Sequence, residues 1–171
     1  MAKFSDKEFY EREIARKTGI SYGSANKVLN ELYSAHLLSR QQKGKMLFYQ
    51  IDLTDPMIRQ FKITNTIALL RPLILTLKKF TTRIILFGSC ATGDDTSESD
   101  MDIFIVSDQK HKILHIIEKM NPGRGFEEIQ IKPVIFSHDE LLDSEKIDKE
   151  FLSIVREGII LWEKTFDESG I

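Results

Sequence analysis

Apolar residues recur at helical spacing twice in the first third of the chain. Glu11 to Lys17 forms one short helical run, and Ala25, Val28, Leu29 and Leu32 resume the period after a break at Thr18-Gly19-Ile20-Ser21. Gly19 suits a helix C-cap and Ser21 the next N-cap, so the pattern predicts helix, tight turn, helix. The second helix leaves Tyr22, Ser24, Asn26 and Lys27 off its apolar stripe. LLSRQQKGKMLFYQI then reads as two strands around Gln42-Lys43-Gly44-Lys45, with Gly permitting the positive φ of a hairpin turn. DLTDP (52–56) is turn-rich and puts Pro56 at a first helical position. Beyond it Ile63, Ile67, Leu70, Ile74 and Leu77 keep a helical period, and Pro72 predicts a kink or a division of that helix. Arg83 to Phe87 reads as a buried strand, Ile103 to Val106 as a second apolar run, and KHKILHIIEKM as a surface helix carrying His111 and His115. In EIQIKPVIF (128–136), Ile129, Ile131 and Ile135 alternate with Glu128, Gln130, Lys132 and Val134. Trp162, closing the last apolar run, is expected in the core.

The chain's 171 residues have room for one ordinary domain or two small ones, and 42% hydrophobic with 29% charged residues marks a globular rather than a disordered chain. The net charge of -2 conceals a split: residues 1–52 carry +3 and the remainder -5. That asymmetry points to two parts with different partners, the first an anionic polymer. The single cysteine, Cys90, excludes an internal disulfide and fits a reducing compartment. No apolar run follows the first charges of MAKFSDKEFYERE, and the apolar segment from Ile63 to Leu77 is interrupted by Asn65, Arg71 and Pro72. A cytoplasmic protein with no membrane partner is expected.

The candidate chemistry lies in GSCATGDDTSESDMD, Gly88 to Asp102. A strand that ends in Gly88-Ser89 before a short helix lets backbone N–H groups approach an anion, and phosphate is the natural one. Asp100-Met101-Asp102 opens the next apolar run, and residues i and i+2 of a strand share a face. Two carboxylates held together call for a cation, and Mg²⁺ takes hard oxygen ligands that it shares with substrate phosphates. Between these ends, Asp94, Asp95 and Glu98 read as a solvated loop, and Cys90 as a small filler.

Two resemblances follow from these residues. EIARKTGISYGSANKVLNELYSAHLLSRQQKGKMLFYQI resembles winged helix-turn-helix domains of transcriptional regulators. This implies a recognition helix from Ser21 to Ser34 that presents Ser21, Tyr22, Ser24 and Lys27 to DNA, and a wing whose Lys43 and Lys45 approach phosphates. The long apolar helix would join two domains or, in the sharper alternative, form a homodimer interface. Gly-Ser, ten residues and Asp-x-Asp, together with Gly93, Ser99 and FLSIVREGIILWE, resemble the DNA polymerase β-like nucleotidyltransferase superfamily and most closely its minimal members.

The expected fold is therefore an α/β (α+β) nucleotidyltransferase domain with a mixed sheet at 81–171, preceded by a winged helix-turn-helix at 1–54 and a helical linker at 55–80. The second resemblance implies transfer of a nucleoside monophosphate from a nucleoside triphosphate to a hydroxyl. Gly88 and Ser89 would hold the triphosphate, and Asp100 and Asp102 would bind Mg²⁺ or Mn²⁺. It also implies a third carboxylate on a neighbouring strand, at Lys132 or Gln130, and neither is an acid. Glu128 shares their face but sits early, so it serves only if the strand is shifted. Where many relatives have Arg near the phosphates, this chain has Cys90 and Thr92. Such minimal transferases are often antitoxins that adenylylate a HEPN-type toxin. The alternative is a regulator whose transferase domain is impaired and senses nucleotide or docks a partner.

Overall fold

In the computed structural model, which describes residues 7–120, 130–143 and 148–165, a two-residue strand β1 (Phe9–Tyr10) runs straight into helix α1 (Glu11–Thr18). Gly19 ends α1 in the left-handed region at φ 71°, where a residue without a Cβ carries no steric penalty. Ser21 caps helix α2 (Tyr22–Ser34), its Oγ accepting from the Ser24 N–H at 3.1 Å. A hairpin of β2 (Leu38–Lys43) and β3 (Met46–Ile51) follows, and β1 adds to the far edge of β3, giving the antiparallel order β1-β3-β2. Phe9, Ile14, Leu29, Leu38 and Tyr49 fill the core of this unit. Glu11 ties it together, accepting from Tyr22 Oη at 2.5 Å, Asn26 Nδ2 at 2.7 Å and Tyr49 Oη at 3.2 Å. Its hydrogen bond and then its negative charge hold the Tyr22 phenol above its ordinary pKa. Val28, expected on the buried stripe, is 46% exposed, because the stripe centres on Ala25 and Leu29 and position 28 falls at its margin.

Helix α3 (Pro56–Leu77) passes unbroken through Pro72, so the expected division does not occur. Pro72 and Ala68 are both exposed, and the carbonyl that loses its helical partner can be solvated. The described residues up to Lys62, with Gly93–Glu98, form one compact unit; Ile63–Thr92 and the described residues from Ser99 onward form the other. Of the acidic loop expected to be solvated, Asp94 and Glu98 are exposed but Asp95 is not. Asp95 is buried and pairs with the buried Lys62 at 3.2 Å, and the Lys62 ammonium also donates to the Asp95 carbonyl. Asp94 meets Arg59 at 3.2 Å. Gly93, at φ 79°, packs so closely that a Cβ there would lie 2.7 Å from the Arg59 carbonyl oxygen. The early turns of α3 supply Arg59 and Lys62, and a buried ammonium requires an acid beside it.

The second unit is built on a four-stranded sheet: β4 (Arg83–Phe87), β5 (Met101–Val106), β6 (Ile131–Phe136) and β7 (Ile159–Glu163), ordered β6-β5-β4-β7. β4 is antiparallel to β5 and β7, whereas β5 and β6 run parallel, so the sheet is mixed as expected. One face, through Ile84, Leu86, Met101, Ile103 and Ile105, packs with Leu70, Leu73, Ile74 and Leu77 of α3 and with Ile113 and Ile117 of α5 (Lys110–Met120). The other sets Ile85, Phe87, Phe104 and Val106 against Phe151 and Val155 of α7 (Lys149–Arg156). Burying each such side chain contributes about 1.5–3 kcal/mol, so the two central strands are clamped on both faces. Trp162 packs against the first of these cores, as expected. Among the described residues no helix is long and apolar enough to cross a membrane.

Lys62→Ala should destabilise the chain by about 3–5 kcal/mol, because it leaves Asp95 charged, buried and unpaired. Lys62→Met with Asp95→Leu should recover most of the loss. Urea unfolding of the three proteins checks this; a Lys62→Ala protein as stable as the parent would contradict the assigned pair.

Candidate active site

The pairing of β4 with β5 assembles the site. Phe87, the last residue of β4, stands opposite Asp102, so the chain leaving the sheet at Gly88 passes directly beside that carboxylate. Gly88 is at φ 70°, and a Cβ built on it would lie 2.8 Å from Asp102 Oδ2. Glycine is therefore required twice, by its conformation and by the approach of Asp102. Ser89 opens α4 (Ser89–Thr92), a single turn whose Ala91 and Thr92 N–H groups return to the Gly88 carbonyl at 3.0 and 3.3 Å. Thr92 Oγ1 donates to the Ser89 carbonyl at 3.2 Å. Cys90 is buried, and its Sγ donates to the Asp100 carbonyl at 3.3 Å, fastening the turn to the start of β5. It is a packing residue, as the sequence indicated.

Along β5, Met101, Ile103 and Ile105 enter one core while Phe104 and Val106 enter the other. Asp102 shares the second face but lies at the strand's open end, where it is only partly covered. Burial holds its carboxyl above the usual aspartate range; the Lys132 ammonium opposes that shift and the Asp100 charge adds to it.

Lys132 is the feature that sequence reasoning located but did not interpret. Parallel pairing of β5 with β6 sets it beside Asp102, and the register continues unshifted from Met101–Ile131 to Val106–Phe136. The shift that Glu128 would need is thus absent across β6; Glu128 itself, with Ile129, lies outside the described residues. Lys132 Nζ is 2.6 Å from Asp100 Oδ2, and that hydrogen bond and charge raise the ammonium's pKa above its usual value. Gln130 is exposed and accepts from the Met101 N–H through its backbone carbonyl at 2.9 Å.

Two carboxylates converging beside a glycine suit one hard cation that completes its shell with phosphate oxygens. Among the described residues no group of three or more His, Cys, Asp or Glu side chains is placed to hold a metal. His111 and His115 are both exposed on α5.

The structure thus brings Gly88, Ser89, Asp100 and Asp102 together in the second unit. In the first, Ser21, Tyr22, Ser24 and Lys27 are exposed over the opening turns of α2, and Lys43 and Lys45 lie on the hairpin. Lys43 is already paired with Glu8. A further constellation escaped the sequence: His138, in the short helix α6 (His138–Leu142), meets Asp108 Oδ2 at 2.8 Å through Nδ1 and Thr82 Oγ1 at 3.0 Å through Nε2. These residues are far apart in sequence, and only the sheet topology joins them.

The family model described as "Nucleotidyltransferase domain" matches residues 69–165, more than half of the chain. No curated protein matches. Among solved structures the chain is similar to a "putative nucleotidyltransferase" from Sulfolobus solfataricus, with 15% identity over 62% of this chain and 87% of that one and a TM-score of 0.40.

Because Asp102 binds its proton more tightly in the folded than in the unfolded chain, stability falls as pH rises from the ordinary aspartate value through the raised one. Asp102→Asn should therefore have a higher urea midpoint than the parent at pH 7. The difference should close below about pH 3, where the carboxyl is neutral in both states. An Asp102→Asn midpoint at pH 7 equal to or below the parent's would contradict the assigned environment.

Proposed function

This chain belongs to the nucleotidyltransferase domain family, and from that premise we propose that it transfers a nucleoside monophosphate from a nucleoside triphosphate to a hydroxyl, most simply one on another protein. The observation that carries the reading is the placement of Asp102 against Gly88, which joins a carboxylate pair to a turn open to phosphate. Gly88 presents no side chain to obstruct the triphosphate, and Ser89, at the start of the turn, supports the phosphate oxygens. Asp100 and Asp102 would hold a Mg²⁺ or Mn²⁺ ion, which when bound neutralises the phosphates and favours attack at the α-phosphorus. The acceptor oxygen bonds to that phosphorus, pyrophosphate leaves, and the acceptor's proton passes to solvent. No described acid stands at the third position to take this proton, which favours slow, protein-directed transfer over rapid turnover of a small molecule.

The first unit is proposed to be a winged helix-turn-helix that binds DNA. Its support is the order of its elements, the exposure of Tyr22, Ser24 and Lys27 on α2, and the positive charge of residues 1–52. An antitoxin-like role fits both units: the transferase would modify a HEPN-type toxin while the DNA-binding unit regulates their expression. One observation favours a second reading. Lys132 sits on Asp100, as it would in a regulator that binds nucleotide or docks a partner without turnover.

Incubation with labelled nucleoside triphosphates, Mg²⁺ and cell extract should label a protein acceptor. Asp100→Asn with Asp102→Asn should lower the labelling by about a hundredfold or more. Triphosphate binding without transfer would select the regulator reading, and label that persists in the double variant would sink the transferase one. For the first unit, fluorescence anisotropy on DNA should show salt-dependent binding. Lys43→Ala with Lys45→Ala should reduce the slope of log affinity against log salt by about two; binding indifferent to salt would exclude this surface as a DNA contact.

A further inference from the structure

We propose that Lys132 is the resident cation of the site, so that this chain binds a single divalent ion, and binds it weakly until the triphosphate is present. The inference rests on the transferase reading of Asp100 and Asp102 and specifies the charge arrangement there.

Lys132 is not a surface lysine that happens to reach an acid. The parallel β5–β6 register makes it the direct neighbour of Asp102, and strand alternation turns both away from the core that holds Met101, Ile103, Ile131 and Ile135. Its ammonium already bonds Asp100 Oδ2 at 2.6 Å. Two carboxylates and one ammonium carry one net negative charge. A divalent ion entering alone would reverse that charge with the ammonium still beside it. A triphosphate arriving with the ion supplies negative charge to offset it and offers the ammonium new oxygen partners. The Lys132 side chain is 59% exposed, so its bond to Asp100 is bathed in water and weak enough to exchange for a phosphate oxygen. A second ion would have to settle against the ammonium with no further described carboxylate to hold it.

Mn²⁺ binding by the whole protein, followed through loss of the free-ion EPR signal, tests this without any turnover. Without nucleotide, Lys132→Met should bind Mn²⁺ about tenfold more tightly than the parent, the effect of removing a like charge a few ångströms away. With a non-hydrolysable triphosphate analogue, and after subtraction of a protein-free control, the parent should take up one ion and Lys132→Asp two. Asp100→Asn with Asp102→Asn should bind none, which assigns the ions to this site. Unchanged affinity in Lys132→Met, two ions in the parent or one in Lys132→Asp would each overturn the proposal. If the parent binds no triphosphate analogue at all, the transferase reading fails. The nucleotide-free comparison of Lys132→Met with the parent then still decides whether Lys132 competes with the ion.

Discussion

Everything at the site depends on the pairing of β4 with β5. Both strands are apolar on two faces, and both faces are covered: by α3 and α5 on one side and by α7 on the other. A slip of one residue would turn Asp102 into the core that holds Met101 and Ile103 and exchange the two packed apolar sets, so the register is strongly determined. With that register fixed, Phe87 faces Asp102, the chain must turn at the next residue, and only glycine fits against the carboxylate. The carboxylate pair is the local cost of the arrangement. Asp102 is partly desolvated beside Asp100, and the parallel neighbour strand brings an ammonium to the same end of the sheet.

What was legible in the sequence was mostly local. Strand β4, the turn at Gly88-Ser89, and Asp100 and Asp102 on one side of β5 follow from apolar runs and period-two alternation. The facing of Lys132 follows from the same alternation in β6. The meaning of Lys132 did not, because an ion pair across parallel strands depends on register, and register is set by packing rather than by the strand's own residues. The burial of Asp95 is illegible for a related reason: the counter-ions of Asp94 and Asp95, namely Arg59 and Lys62, are more than thirty residues away in a helix that reads as a connector. Glu11, which gathers Tyr22, Asn26 and Tyr49, and His138, which joins Asp108 and Thr82, are likewise products of tertiary placement. Pro72 shows the converse. A strong local signal for breaking a helix leaves α3 continuous because it falls on an exposed side.

The two units differ in how their polar residues are used. In the first, charge serves structure as well as surface: Glu11 is consumed by three donors, and Lys43 is already engaged with Glu8. Any DNA contact by Lys43 must therefore displace an internal partner, whereas Lys27 and Lys45 are exposed. In the second unit Asp102, at the end of β5, is partly desolvated beside Asp100 and faces a glycine, an arrangement that suits binding better than it suits stability.

The proposed transfer requires triphosphate to bind where Gly88 meets Asp102. Amide chemical shifts of the isotope-labelled protein, recorded as a non-hydrolysable triphosphate analogue and Mg²⁺ are added, test it most directly. The largest changes should fall on Gly88 to Thr92 and on Met101 to Ile103, with a smaller response at Lys132. Saturating changes confined to other residues, or none at all, would contradict the account.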